Sequence, residues 1–167
     1  MTSTELLETL PSALKEIRLR PLLTLRLVVA APSLFGRGPA HDRRVRVVTG
    51  GQFVSPHDGL RGRVQSGGSD WQTLLSDNTT TLDVRLVLET EGGDLIGMTY
   101  KGLRHGPPET LVRLDRGEAV DPSEYYFRSA PFFETASGRF AWLNRIITVA
   151  TGHRLPDGPV YNVFEIL

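Results

Sequence analysis

The fold of this chain is decided by one glycine-rich stretch, Gly50-Gly51-Gln52-Phe53-Val54-Ser55-Pro56-His57-Asp58-Gly59-Leu60-Arg61-Gly62-Arg63-Val64-Gln65-Ser66-Gly67-Gly68-Ser69-Asp70-Trp71-Gln72. It contains two Gly-Gly pairs, and each is closely followed by a polar residue and an aromatic one, Gln52-Phe53 and Asp70-Trp71. Because glycine adopts backbone angles that other residues avoid, the pattern predicts turns between short, sharply bent strands. Such strands pass close to one another or to a ligand, which is typical of a barrel more than of a sandwich.

The composition indicates an ordinary globular domain. The chain has 167 residues, enough for one domain with its own core, and 19 basic residues balance 19 acidic ones. A formal net charge of zero favours neither nucleic acid nor an anionic membrane as a partner. The absence of cysteine excludes a disulfide framework, a thiolate metal site and a cysteine nucleophile.

Neither a membrane span nor an export signal is visible in the sequence. No apolar run approaches the roughly 20 residues that a membrane-spanning helix needs. The first residues lack the charged and apolar segments of a signal peptide. We therefore expect no membrane partner and a cytoplasmic location.

Short alternating segments dominate the rest of the chain. The clearest is Thr81 to Glu89, which a Glu91-Gly-Gly-Asp94 hairpin turn joins to the returning segment Leu95 to Leu103. Counting all such segments gives about ten strands, which predicts an all-β fold with a single antiparallel β-barrel or, as the alternative, a sandwich.

The N-terminus has a different period. Leu6, Leu7, Leu10 and Leu14 follow a helical spacing after Thr4, a possible cap. We therefore predict a short helical extension over residues 1–20, packed over the body or reaching a neighbour, and a barrel domain over residues 21–167. The leucines, together with the strand edges of a small barrel, predict a homodimer.

Motifs for metals and for common cofactors are missing. The four histidines stand singly in predicted loops, without the short spacings of metal ligands. The glycines match no phosphate-binding or dinucleotide-binding pattern, and there is no Gly-x-Ser-x-Gly elbow. We predict a protein without a metal or other cofactor.

The strand Thr81 to Glu89 has a polar face beside an apolar one. Asp83 and Arg85 share one face, and the opposite face is apolar throughout. If the apolar face packs under a helix or a partner subunit, Asp83 and Arg85 look inward, and Arg85 can hold a ligand oxygen that Tyr100 also reaches. If instead the apolar face is the core, the two form a surface ion pair worth about 0–1 kcal/mol.

Further polar and aromatic residues on predicted strands complete the candidate site, in which Asp70 or Asp83 is the base. Donors to a developing oxyanion come from tyrosine and arginine, and aromatic rings supply a dry wall. The predicted catalytic residues are Asp70, Asp83, Arg85, Tyr100 and Tyr126, and the predicted ligand-binding residues are Trp71, Arg104, Phe127, Arg128, Trp142 and Asn144.

The same residues carry a family resemblance. The motifs are Thr49-Gly-Gly-Gln-Phe, Gly67-Gly-Ser-Asp-Trp-Gln, Leu82-Asp-Val-Arg, Gly102-Leu-Arg-His-Gly, Asp121-Pro-Ser-Glu-Tyr-Tyr-Phe-Arg-Ser, Phe133-Glu-Thr and Trp142-Leu-Asn. In this order they resemble the DUF3237, or UPF0311, family over about residues 22–167. The resemblance implies a compact β-barrel of lipocalin-like shape that often self-associates, and it implies no settled activity.

Together these patterns predict a cavity-bearing barrel that binds a small, partly aromatic organic molecule. We expect a cofactor-independent isomerase, cyclase or lyase that works by proton transfer. A non-catalytic binding or carrier protein is the alternative, and a structural subunit with a barrel filled by side chains is a third possibility.

Overall fold

A computed structural model describes residues 3–39 and 41–167, and it is built mainly of antiparallel strands. The strands are β1 Leu19–Val29, β2 Ser33–Arg37, β3 Asp42–Val54, β4 Arg61–Val64, β5 Gly68–Leu74, β6 Thr80–Thr90, β7 Leu95–His105, β8 Tyr126–Glu134, β9 Thr148–Leu155 and β10 Gly158–Ile166. The all-β prediction is therefore confirmed.

Helices are short. The α-helices are α1 Ser3–Glu8 and α2 Pro108–Asp115, and single 3₁₀ segments cover Ser12–Leu14, Pro122–Glu124 and Ala141–Arg145. None of the helices described is long and apolar enough to cross a membrane.

The sheet closes on itself, which confirms the barrel prediction. The strands follow one another in the order β1, β10, β9, β8, β7 and β6, and β5 joins β6 to β3. Pairing of β3 with β1 then completes a barrel of eight strands. The two additional strands lie beside this ring: β4 pairs with the ends of β3 and β6 next to β5, and β2 pairs with the beginning of β3.

The two Gly-Gly pairs have different roles. Gly67 lies in the turn between β4 and β5, as predicted, but Gly50 and Gly51 lie within the continuous strand β3. The partners of β3 change around these glycines: β2 and β5 pair with the part before them, β1 with the part from Val48 on and β4 with the part from Gln52 on. A Cβ atom at Gly51 would stand 2.3 Å from the carbonyl oxygen of Arg26, so this pairing needs glycine for close backbone approach.

The interior divides into two halves along the barrel axis. On β6 the inward residues are Leu82, Val84, Leu86 and Leu88, all at most 4% exposed. The half around Leu88 is filled by apolar side chains and includes Phe140 and Leu143, which belong to the 3₁₀ segment Ala141–Arg145 and its approach. The half around Leu82 contains several charged side chains, and α2 lies near its rim.

The N-terminal extension is helical, as predicted, but its apolar side chains are exposed. Leu6 is 56% exposed, Leu7 59% and Leu14 68%, so these side chains do not pack over the body of their own chain, and the alternative, contact with a neighbour, stays a prediction. The homodimer remains a prediction, now with a specific candidate contact in these leucines.

We expect light scattering at micromolar concentration to report a dimer, and a monomer alone would contradict it.

A close backbone crossing at Gly62 generates a test of the fold. Gly62 lies on β4 between β3 and β6, and a Cβ atom there would stand 2.0 Å from the carbonyl oxygen of Glu89. We expect Gly62→Ala to lower the free energy of unfolding by about 1–3 kcal/mol, since the strands must separate to admit the methyl group.

Urea denaturation measures this change, and Gly138→Ala is the matched control. No atom lies within 4 Å of a Cβ at Gly138, so its unfolding free energy should stay within about 0.5 kcal/mol of the wild type. Equal stability of the two variants would show that β4 does not pack against β6 as described.

Candidate active site

The charged half of the barrel encloses a small cavity. Its volume is about 20 Å³, room for about one water molecule. The polar lining consists of Arg46, Asp70, Gln72, Tyr100, Arg104, Arg154 and Tyr161. Leu27, Phe127 and Pro159 are among the apolar residues that complete the wall. Arg46 and Arg154 are only half-buried, so they form the side of the cavity nearest to solvent.

A hydrogen-bonded relay orients the carboxylate of Asp70. Arg44 lies opposite Gln72 across the β3–β5 pairing, and its Nε donates to Gln72 Oε1 at 2.6 Å. The amide nitrogen of Gln72 donates in turn to Asp70 Oδ2. The other oxygen, Asp70 Oδ1, is buried and has no hydrogen-bond partner among the residues that the structure describes. One carboxylate oxygen is therefore held in place, and the other is free to accept a proton.

Burial sets the proton affinity of this carboxylate. Asp70 is only 9% exposed, and burial raises its pKa from 3.8 to about 6, because a buried anion loses hydration. The Gln72 hydrogen bond and the positive charges of Arg104 and Arg44 oppose this rise without cancelling it. A carboxylate with such a pKa is a stronger base than ordinary aspartate and is still mostly ionised at neutral pH.

Four guanidinium groups surround this end of the interior: Arg44, Arg46, Arg104 and Arg154. Burial, followed by repulsion from Arg154, Arg44 and Arg104, lowers the pKa of Arg46 to about 10. Burial also lowers the pKa of Arg104 and of Arg154, with repulsion from Arg44 acting in the same direction. The pKa shifts of Arg46, Arg104 and Arg154 each include repulsion from another arginine of this group, because the charges lie within one region.

Two tyrosines from β7 and β10 line the same cavity as the relay. The rings of Tyr100 and Tyr161 meet edge to face with centroids 5.3 Å apart, and Phe127 packs against Tyr161 at 5.4 Å. Burial raises the pKa of Tyr100 well above its ordinary value, and the proximity of Tyr161 and Asp70 raises it further. The pKa of Tyr161 is also raised, first by burial and then by Asp70. Both hydroxyl groups therefore remain protonated at neutral pH.

The cavity brings together four of the residues selected from the sequence. Asp70, Tyr100, Arg104 and Phe127 all line it.

Asp83 and Arg85 lie elsewhere, and the prediction that they look inward is wrong. Both side chains are exposed on the outer surface, where Asp83 Oδ2 lies 4.0 Å from Lys101 Nζ. The reason is physical: the opposite face of β6 is continuously apolar, and it forms the core of the barrel instead of a contact with a helix or partner.

Three further candidates also face outward. Trp71, Tyr126 and Arg128 line a wide groove of about 1150 Å³ on the outer surface of β5 to β9. There the guanidinium carbon of Arg128 stands 5.1 Å from the ring centroid of Tyr126, and Trp71 contacts Phe35 with centroids 5.9 Å apart. Each belongs to the outward set of its strand, so none reaches the cavity.

Trp142 and Asn144 lie at the opposite, apolar end. They belong to the 3₁₀ segment Ala141–Arg145, where the ring centroids of Trp142 and His57 are 5.0 Å apart. The Asn144 side chain accepts from the backbone N–H of Thr135 and donates to its carbonyl oxygen. These contacts close the loop after β8, which is a structural role.

Sequence reasoning missed Arg44, Arg46, Gln72, Arg154 and Tyr161. The available indication was spacing: Gln72 stands two residues from Asp70, and Arg46 two residues from Arg44, so each pair shares a face of its strand. Within residues 3–39 and 41–167, no three histidine, aspartate or glutamate side chains gather where they could hold a metal ion.

Comparison with known proteins gives the relationships of the chain. The family described as "Protein of unknown function (DUF3237)" matches residues 17–166. A UPF0311 protein from Bradyrhizobium diazoefficiens is 35% identical over 125 residues, which are 75% of this chain and 80% of that protein. A UPF0311 protein from Clostridium acetobutylicum is 30% identical over 153 residues, 92% of this chain and 96% of that one.

Solved structures share the fold. A β-barrel-like protein from Acinetobacter baumannii has a TM-score of 0.79 at 35% identity, covering 95% of this chain and 99% of its own. A protein described as an enzyme from Penicillium herquei has a TM-score of 0.69 at 20% identity, covering 95% and 98%. With the family match over almost its whole length, the chain belongs to the DUF3237, or UPF0311, family.

Proposed function

We propose that this barrel is a cofactor-independent enzyme of the isomerase, cyclase or lyase type, acting by proton transfer on a small, partly aromatic organic molecule. The observation that carries the proposal is Asp70, a buried carboxylate with a pKa of about 6 that lines the interior cavity and has one oxygen without a partner among the described residues. Structural carboxylates are usually fully hydrogen-bonded, whereas perturbed and incompletely bonded ones concentrate at reactive sites.

The proposed chemistry uses the groups around Asp70. Asp70 Oδ1 takes a proton from an acidic C–H of the substrate, and the electron pair moves to the adjacent carbonyl oxygen. Arg104 and the hydroxyl of Tyr100 or Tyr161 donate hydrogen bonds to this oxyanion. Protonated Asp70 then returns the proton to another atom, or the carbanion adds to an electrophilic carbon or expels a leaving group. Phe127 and Leu27 supply the apolar wall.

The narrow interior bears on the structural alternative. A cavity of about 20 Å³ does not hold an aromatic molecule without movement of side chains, and a filled barrel favours a structural role. However, packing alone does not explain why arginines fill this half, because burying charged groups is unfavourable. Half-buried Arg46 and Arg154 are the side chains that would turn outward to admit a ligand. The protein from Penicillium herquei that is described as an enzyme shares this fold, which is compatible with catalysis by such a barrel.

Proton abstraction is tested without the natural substrate. Phenylpyruvate is a partly aromatic probe whose methylene protons exchange in D₂O, and proton NMR follows the exchange. We expect the protein to accelerate this exchange and Asp70→Asn to slow the catalysed reaction about 10²–10⁴-fold. The rate should rise with pH through about 6 as Asp70 ionises, and then level off.

Asp83→Asn is the matched control, because that carboxylate is exposed on the outer surface. This variant should catalyse the exchange of the phenylpyruvate methylene protons as fast as the wild type does. Undiminished exchange by Asp70→Asn would refute its role as the base. Native mass spectrometry addresses the alternative: a co-purified ligand bound without turnover would indicate a carrier protein.

The raised pKa also predicts a stability change. Between pH 3.8 and about 6 the folded protein holds a proton on Asp70 that the unfolded chain has lost, so its free energy of unfolding falls as pH rises through this range. At about 1.4 kcal/mol per pH unit, the ionised carboxylate costs about 3 kcal/mol. We expect Asp70→Asn to be more stable than the wild type at about pH 7.5, by up to that amount, and to lose the advantage near pH 4.

Urea denaturation at both pH values measures the difference, with Asp83→Asn again as the control. An Asp70→Asn variant that is less stable than the wild type at pH 7.5 would show that the carboxylate has a structural role.

A further inference from the structure

We propose that the charged half of the barrel recognises a carboxylate on its ligand, with Arg104 as the anchoring residue. This inference names the class of substrate for the proposed function and rests on it for the role of the bound molecule. Binding itself can be measured without turnover.

Positive charge exceeds negative charge around the four arginines. Of the four arginines, only Arg44 forms an ion pair with a carboxylate within the part of the chain that the structure describes, to Asp115 at 3.7 Å. The neighbouring Asp157 is already paired with Arg26 at 2.7 Å. Asp70 lies near Arg104, Arg44 and Arg46, but its hydrogen bond goes to Gln72. An anion in this region removes the excess positive charge.

Arg104 has a buried donor that lacks an acceptor. The residue is only 5% exposed, it lines the cavity, and its Nε has no hydrogen-bond partner in the described ranges 3–39 and 41–167. Its guanidinium carbon lies 5.9 Å from the ring centroid of Phe127, which supports the group from one side. A buried charged donor without an acceptor is unfavourable, and the fork of an arginine matches the two oxygens of a carboxylate.

The small cavity limits which part of a ligand can enter. Its volume of about 20 Å³ holds about one water molecule, so it takes only the end of a ligand and not a whole metabolite. One oxygen of a carboxylate is of this size. The rest of the ligand then lies toward Arg46 and Arg154 on the more exposed side, along the apolar side chains of Val29 and Pro159.

Benzoate and benzamide are the probes, because they have nearly the same shape and differ in charge. Their dissociation constants are measured by chemical-shift titration of the wild-type protein. We expect benzoate to bind at least ten-fold more tightly than benzamide and to shift the Nε–H resonance of a buried arginine. Equal binding of the two probes would overturn the proposal. Failure of benzoate to bind at about 50 mM would also overturn it, since a dissociation constant above this concentration corresponds to a binding free energy weaker than about 2 kcal/mol.

Two arginine variants locate the site. Arg104→Met should weaken benzoate binding at least ten-fold, and Arg85→Met, which removes an exposed arginine from the outer surface, should leave it unchanged. If Arg104→Met does not fold, Arg154→Met at the half-buried rim replaces it, with at least a three-fold loss expected. Equal effects of the inner and outer variants would overturn the assignment. Binding of inorganic phosphate without binding of benzoate would overturn the carboxylate as the ligand class.

Asp70→Asn separates this inference from the proposed function. The variant removes a negative charge that faces the arginines, so benzoate should bind it as tightly as the wild type or a few-fold more tightly, although proton exchange is lost. Retained exchange in Asp70→Asn would refute the proton-transfer mechanism alone. If the wild-type protein shows no preference for benzoate over benzamide, only carboxylate recognition is refuted.

Discussion

In a closed barrel each strand residue faces either the interior or the outer surface, and antiparallel pairing carries that choice from strand to strand. Residues directly opposite each other point to the same side. With Val84 inside, its partners Tyr100 on β7 and Asp70 on β5 are inside as well. Asp70 in turn lies opposite Arg46 on β3. The pairing of Arg104 with Phe127 extends the same inner face to β8. The composition of the candidate site is thus a consequence of register.

The two halves of the interior have opposite effects on stability. Apolar side chains such as Leu88, Ile96 and Val163 are fully buried, and each contributes about 1.5–3 kcal/mol by leaving water. The charged half has an ionised Asp70 and an unpartnered Arg104 in the same enclosed space, which is unfavourable. A chain selected for stability alone would fill that half with apolar residues. Local destabilisation that the rest of the fold offsets is a property of functional sites.

Much of the fold could be predicted from the sequence, because a period of two and glycine-rich turns are local properties. The site could be predicted only in part, because the inner face of each strand depends on tertiary pairing. For β3 the pattern is misleading: Val45 and Val47 alternate with Arg44 and Arg46, and the apolar pair would be expected inside. The irregular pairing of β1 with β3 around Gly50 shifts the alternation, so Val48 and Phe53 are both buried although their spacing is odd. A one-residue shift exchanges the two faces, and it places Arg44 and Arg46 on the inner face. Val47 is exposed, and Val45 is buried although it lies opposite outward-facing Trp71.

The asymmetry of the barrel also determines where a ligand could enter. At the apolar end Phe140 and Leu143 are almost completely buried and seal the interior. At the charged end α2 is held near the rim by the contact of Asp115 with Arg44, and it buries Leu114 against the core. At this charged end Arg46 and Arg154 remain half-buried. Arginine is suited to this position, because its long flexible stem can fill the space in the free protein and its guanidinium can remain hydrated after turning outward. A barrel filled in this way differs from one filled by leucine, since an arginine that turns outward places a charged group in water, whereas a leucine would place an apolar one there.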